Sequence, residues 1–194
     1  MIYLVRHGQT EKNRQNVLQG RSDVPLNETG ALQAAAVARQ LRAAGIRFER
    51  VYTSPLRRAV QTAAMLAPEV KPVTDGRLIE MDYGPYEGMD LRAPAPEVLT
   101  FFRDLAHNPA PDGMEALSSV VARMGDFLEE LRFSAPHGDV LVSTHAIAMK
   151  GALEYLTPGS DGAWWPRYLG NCAVYVTELT ERGFSVPCEW PEKV

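Results

Sequence analysis

The sequence predicts an α/β protein, a three-layer α/β/α sandwich with a largely parallel central sheet and a small helical lid. Three observations predict it. Short apolar runs without polar alternation, Ile2 to Val5 and Asp139 to Ser143, suit strands buried on both faces. Segments with helical spacing alternate with the strand candidates, as the crossovers of a parallel sheet require. No internal repeat, low-complexity tract or linker divides the chain, so its 194 residues are expected to form a single domain, 1–194, with a lid or insertion at about 80–113.

The first strand, Ile2 to Val5, runs straight into Arg6-His7-Gly8, which places these residues at the carboxyl edge of the sheet, where ligands bind in open α/β sheets. Asn27 can cap a helix to Ala44, with apolar or alanine positions at Leu32, Ala35, Ala36 and Leu41, and Gly45 stops it. Glu49 to Thr53 reads as a second strand. Ser54 and Pro55 then supply a cap and a first-turn proline for a helix to Leu66. Val70 to Thr74 is a third strand candidate. Gly84, Pro85 and Gly88 make Leu78 to Met89 a loop. Ala93 to His107 reads as a capping helix and Met114 to Leu131 as a long one, with Leu117, Val120, Val121, Met124, Leu128 and Leu131 at helical spacing. Asp139 to Ser143 leads through Thr144-His145 into a helix to Leu156. Ala173 to Leu179 is β-rich, and Gly183 to Val186 suits a hairpin return.

Composition narrows the function classes. With 45% apolar and 23% charged residues the chain is neither disordered nor a disulfide scaffold. Its net charge of −4 disfavours general nucleic-acid binding, yet a few converging arginines can still build a local anion site. No apolar run approaches the roughly 20 residues of a membrane span. Arg6 and His7 interrupt the apolar Met1 to Val5 run before a signal-peptide core could form, so the expected location is cytoplasmic. There Cys172 and Cys188 are expected as reduced thiols.

The chemistry-bearing residues converge. His7 and His145 each follow a strand and precede a turn or helix, so both belong at one sheet edge beside Arg6. Arg58 lies in the first turns of the helix after the second strand. Guanidinium groups match phosphate oxygens bidentately and stay charged at working pH. Arg57, about 100° round the helix from Arg58, is expected in solvent. His107 and His137 complete no metal-ligand spacing with the cysteines, and no metal is needed. His137 is expected as a solvated turn residue, and His107 at a helix end favoured by the helix dipole. Trp164 and Trp165 are expected to cover core or a sheet edge.

These residues fall into an ordered series: Arg6-His7-Gly8-Gln9-Thr10, Asn13, Gly20 to Leu26 and Gly30; Ser54-Pro55-Leu56-Arg57-Arg58-Ala59 with Gln61-Thr62-Ala63; Leu78, Glu80, Gly84, Glu87 and Gly88; Ser143-Thr144-His145; and Asn171. The series resembles the histidine phosphatase superfamily, the phosphoglycerate mutase-like proteins, from residue 2 to about 179. The resemblance implies His7 as the nucleophile that becomes phosphohistidine, and Arg6, Arg58 and His145 as holders of the phosphoryl oxygens. It implies Glu80 as proton donor, with Asp82 as a rival. The implied substrate contacts are Asn13, Gln19, Gly20, Gly8 and Ala146. Glu87 and Glu115 read as structural. No cofactor is implied, and the expected partner is a small phosphomonoester, with a homodimer as a further expectation.

Two positions depart from the family pattern. Ala146 stands where glycine usually follows the second histidine, and Gly113-Met114-Glu115-Ala116 lacks the usual serine. Mutases of the family carry a longer basic insertion for a second phosphate. Here only Arg92, Arg103, Arg123 and Arg132, besides His107 and His137, lie between Glu80 and His145. Hydrolysis is therefore the favoured reading. Phosphoglycerate mutase activity and a non-catalytic phosphate-binding module remain as alternatives. The acid loop is also similar to that of alpha-ribazole phosphatases.

Overall fold

The computed structural model describes residues 1–134, 138–181 and 183–191. In chain order these form β1 (Ile2–Arg6), α1 (Glu11–Arg14), α2 (Glu28–Ala43), β2 (Phe48–Thr53), α3 (Arg57–Leu66) and β3 (Val73–Thr74). Two 3₁₀ turns, Gly76–Leu78 and Gly84–Tyr86, precede α4 (Pro96–Arg103) and α5 (Leu117–Phe133). Then follow β4 (Asp139–Thr144), α6 (Ala146–Leu156), β5 (Val174–Thr177), β6 (Leu179–Thr180), β7 (Gly183–Phe184) and β8 (Cys188–Trp190).

Six strands form one sheet in the order β3-β2-β4-β1-β5-β8. β3, β2, β4 and β1 are parallel, and β5 and β8 add antiparallel pairs at one side. Successive side chains of a strand point to opposite faces, and β1 shows the consequence. Ile2 and Leu4 enter one core with α5 and α6, while Tyr3 and Val5 enter another with α2 and α3. Burial on both sides explains why these strands read as unbroken apolar runs. From β1 the chain departs through α2 on one face, and from β4 through α6 on the other. The carboxyl ends of β1 and β4 therefore form the crevice where connections diverge. Register fixes what meets there: Arg6 pairs with Thr144, so His7 and His145 are the next residues of neighbouring parallel strands.

Local differences from the sequence reading have physical causes. The buried face of α2 is Gly30, Ala34, Ala38 and Leu41, while Leu32 is exposed, because close packing on the sheet favours the small residues. α3 starts at Arg57, without a side-chain cap. Ser54 and Pro55 lie before it, since the Ser54 hydroxyl is engaged by His145. The third strand shrinks to Val73–Thr74, and the capping helix to Pro96–Arg103. His107 thus lies beyond the helix it was expected to end, exposed and paired with Asp104. The hairpin forms between β6 and β7, and β8, not foreseen, pairs with β5. Cys172 and Cys188 are both free thiols. Trp164 and Trp165 are buried, Trp164 edge-on to Tyr175. His137 lies outside the described residues. Among the described residues, no helix is long and apolar enough to cross a membrane.

The loop after β1 sits directly on the start of α2. A Cβ on Gly30 would lie 2.1 Å from the Gln9 carbonyl oxygen, and one on Gly8 would lie 2.5 Å from the Gly30 oxygen. Helix propensity alone would favour alanine at position 30 by about 1 kcal/mol, but the backbone collision outweighs it. Gly30→Ala is expected to destabilise the protein by about 2 kcal/mol or more, read as a lowered urea midpoint. An unchanged or raised midpoint would contradict this packing.

Candidate active site

Three strand ends supply the centre of the site. His7 follows β1, Ser54 follows β2 and His145 follows β4. The amide of His7 donates to the Thr144 oxygen and that of Ser54 to the Ser143 oxygen, each at 3.0 Å, which holds the three loops in step. The two imidazole rings lie edge-on with centroids 5.1 Å apart.

The tautomer of His7 follows from its partner. Its Nδ1 lies 2.7 Å from the Gly8 carbonyl oxygen, which can only accept, so Nδ1 carries the hydrogen. In the neutral ring Nε2 then holds the lone pair. Arg58 Nε donates toward that atom at 3.2 Å and toward His145 Nδ1 at 3.2 Å. Its Nη1 and Nη2 donate to the carbonyls of Ser22 (2.7 Å) and Gly20 (2.6 Å), so the guanidinium is fixed from both ends. His145 Nε2 meets the Ser54 hydroxyl at 2.7 Å.

Burial and this arginine keep both imidazoles neutral. Desolvation, then the charges of Arg58 and Arg6, push the His7 pKa well below its ordinary 6.5. Desolvation, then Arg58 and His7, do the same for His145. Burial also pulls Arg58 down to about 10, partly offset by Glu80, so it stays charged at neutral pH.

Glu80 is 3% exposed and sits at the start of α6. Its Oε1 accepts from the amides of Met81 (2.9 Å), Ile147 (3.1 Å) and Ala148 (2.9 Å). The Ile147 and Ala148 amides belong to the first turn of α6 and have no intrahelical partner, and the helix dipole favours a carboxylate there. Oε2 has one longer contact, 3.3 Å from the Ile147 amide, and is the freer oxygen.

A cavity of about 450 Å³ opens on this centre. Arg6, His7, Asn13, Gln19, Glu80 and Ala146 line it, as does Lys150. Arg58 and His145, with no exposed surface, lie behind them. Asn13 Oδ1 accepts from Thr10 N and Asn171 Nδ2, and Gln19 Oε1 from the Thr10 hydroxyl, leaving each amide nitrogen as a donor. Arg6 bonds the Leu169 carbonyl through Nη1, while its Nε is a buried donor without a partner among the described residues.

Two expected contacts are corrected. The Gly8 N–H donates to Thr62 Oγ1 and its carbonyl accepts from His7. The Gly20 N–H donates to Glu87 and its carbonyl accepts from Arg58. Neither keeps a free polar group for a ligand; both glycines serve close packing. Asp82 pairs with Arg21 near the surface, away from the cavity lining. Glu87 gathers the amides of Gly20, Arg21 and Ser22, and Glu115 pairs with Arg123, both structural tasks. Arg57 is exposed and pairs with Asp23.

Sequence reasoning missed Ser54, Thr62 and Lys150. Ser54 and Thr62 carried no signal beyond their place in a motif, whereas Lys150 is a lone cation inside the apolar stretch from Ala146 to Leu153. Among the described residues, no group of three His, Cys, Asp or Glu could hold a metal ion.

The lowered pKa values set a sign. Below about pH 6.5 the unfolded chain takes up protons on these histidines that the folded protein does not. Folding stability contributed by neutral His7 and His145 is therefore present above pH 6.5 and declines as pH falls below it. Imidazole carbon shifts in an NMR titration are expected to show both rings neutral at pH 6.5. Half-protonation of either at that pH would refute the arrangement.

The family model for the histidine phosphatase superfamily, branch 1, matches residues 2–188. A 2,3-bisphosphoglycerate-dependent phosphoglycerate mutase from Methylobacterium sp. (strain 4-46) is 33% identical over 166 residues, which is 80% of this chain and 80% of that protein. The structure of Bacillus stearothermophilus YhfR superposes with a TM-score of 0.85 at 28% identity, covering 95% of this chain and 94% of the other. A mycobacterial glucosyl-3-phosphoglycerate phosphatase, solved with VO3, superposes with a TM-score of 0.82 at 28% identity, covering 91% and 92%. The chain belongs to the histidine phosphatase superfamily, branch 1.

Proposed function

We propose that the protein is a phosphomonoester hydrolase acting through a phosphohistidine at His7. The observation that carries the reading is the His7 imidazole: neutral, with Nδ1–H tied to a carbonyl and its Nε2 lone pair held beside two arginines at the floor of a cavity. A lone pair so placed is a nucleophile, and the surrounding positive charge favours the phosphoryl group it attacks.

In the first step His7 Nε2 bonds to phosphorus and the P–O bond to the alcohol breaks. Glu80, through Oε2, gives its proton to the departing oxygen. In the second step the Glu80 carboxylate takes a proton from water, the water oxygen attacks phosphorus, and the N–P bond breaks to release inorganic phosphate. Arg6, Arg58 and His145 hold the non-bridging oxygens, with Asn13 and Gln19 as further donors. A phosphoryl oxygen also gives the unpartnered Arg6 Nε an acceptor. His145 donates from Nδ1 in the tautomer whose Nε2 accepts from the Ser54 hydroxyl, a hydroxyl that can act as donor or acceptor.

Hydrolysis is favoured over mutase chemistry by the far wall. Val17, Leu18, Leu91, Pro94, Val98, Leu99, Phe102 and Leu169 line it, and no arginine from residues 92–132 does. Arg92, Arg123 and Arg132 are instead paired with Asp90, Glu115 and Glu129. A second phosphate would find one lysine and little else. The mutases among the relatives keep the second reading open to test. Small organic phosphates with an apolar part suit this wall.

p-Nitrophenyl phosphate is expected to turn over in EDTA. His7→Ala is expected to cut that rate by about 10³-fold or more with the fold retained by circular dichroism, and rapid quenching to trap an acid-labile phosphoryl adduct on His7. Turnover without any such adduct, or transfer between substrate positions faster than phosphate release, would overturn the reading. Glu80→Gln is expected to slow alkyl phosphates by roughly 10²–10⁴-fold and p-nitrophenyl phosphate far less, because nitrophenolate leaves without a proton. Equal slowing of both would assign Glu80 to positioning alone.

A further inference from the structure

Among the described residues Lys150 is the one lysine on the cavity wall, and its placement is costly. It is only 9% exposed, in a helix whose neighbours Ala148, Met149, Ala152 and Leu153 are fully buried. Its Nζ donates to the Trp165 carbonyl oxygen at 2.6 Å. An ammonium has three N–H donors, so this bond leaves two. A buried carbonyl needs only one neutral donor, and burying a charge to provide it is unfavourable unless the charge has further work. Glu80 and Arg6 act on Lys150 electrostatically, so it stands close enough to the reacting centre to feel both. Glu80, however, already takes its hydrogen bonds from three backbone amides, and the lysine bonds none of its oxygens.

We infer that Lys150 is a specificity-determining residue that binds a carboxylate on the organic part of the substrate. The inference rests on the phosphatase reading above and narrows its substrate class to phosphomonoesters with an apolar or aromatic body and an acidic group. The wall supports this composition. Leu91, Val98, Leu99 and Phe102 offer the organic part an apolar surface, and besides Arg6 the lining supplies a single cation, Lys150. A carboxylate, needing one charge-assisted partner, fits such a site, whereas a second phosphate would require several.

Burial lowers the Lys150 pKa to about 8, with Glu80 opposing and Arg6 adding to the shift, so the ammonium is charged at pH 7 and loses its proton above about 8. The other titratable groups on the cavity do not mimic this change. His7 is already neutral, and burial raises Tyr83 well above its ordinary 10. Arg6 and Glu80 also line the cavity beside it, and the exposed Tyr168 lies at the rim.

The test compares two non-hydrolysable ligands, 4-carboxyphenylphosphonate and its neutral isostere 4-carbamoylphenylphosphonate, by calorimetry. At pH 7 the unaltered protein is expected to bind the carboxylate at least about tenfold more tightly. That preference should fade between pH 7 and 9, and it should fall to about one in Lys150→Met. The pH arm needs no variant and so stands even if Lys150→Met misfolds. Equal binding of the two ligands, no binding of either, or an undiminished preference in Lys150→Met would overturn the inference. Turnover of p-nitrophenyl phosphate by the same preparation tests the reading beneath it. Loss of turnover with the ligand preference intact would sink hydrolysis and leave the lysine site standing.

Discussion

One guanidinium governs the centre of this molecule. Arg58, wholly buried in the first turn of α3, directs a single Nε–H between the acceptor nitrogens of His7 and His145. One hydrogen cannot satisfy both, and both contacts are long. The arrangement persists because the two Nη groups are pinned by the carbonyls of Ser22 and Gly20. Its consequence is electrostatic: burial first, and then this fixed cation, push the pKa of both rings well below 6.5. In the proposed reaction, the same charge that keeps a proton off His7 Nε2 would steady the anion this nitrogen attacks. In the proposed complex an anionic oxygen would compete for the same Nε–H, because a bond between opposite charges is stronger than one shared between two neutral nitrogens.

The helix that begins at Ala146 links the second histidine to the acid. His145 is the residue before α6, and the next turn's amides hold Glu80. Any tilt of α6 therefore moves His145 and Glu80 together. This bears on Ala146. Its methyl lies on the cavity wall, but the amides that Glu80 uses belong to Ile147 and Ala148, so the departure from glycine narrows the cavity without disturbing the acid's attachment.

The phosphate end of the site was legible because its residues follow strands directly. His7 and His145 needed only the register of two neighbouring parallel strands to meet, and the apolar runs before them announced those strands. The same logic misjudged Ser54. Next to a proline it looked like a helix cap, and its hydroxyl does accept the Leu56 amide just before α3, yet its position after β2 also places it against His145, a tertiary contact the local signal did not announce. Gly8 and Gly20 looked like ligand contacts because glycines admit close approach. What approaches them closely is the protein's own backbone and Glu87, an arrangement that depends on chain segments far apart in sequence. Lys150 stood in plain view as a cation in an apolar helix, but only the cavity reveals what its buried ammonium faces.

These two kinds of residue divide the site by how freely each can change. The phosphate end is bound by backbone constraints: strand register, helix amides and glycine packing leave little room for variation. The organic end is built from side chains of residues 91–102, of α6 and of the segment through Leu169. Arg6 and Lys150 each hold that last segment through one carbonyl, of Leu169 and Trp165. Each cation keeps a further donor besides that bond, the Arg6 Nε and two N–H of Lys150, so a ligand can be held without releasing either carbonyl. The same two side chains thus place the wall and face the cavity, while the His7 ring is fixed by Gly8 and Arg58.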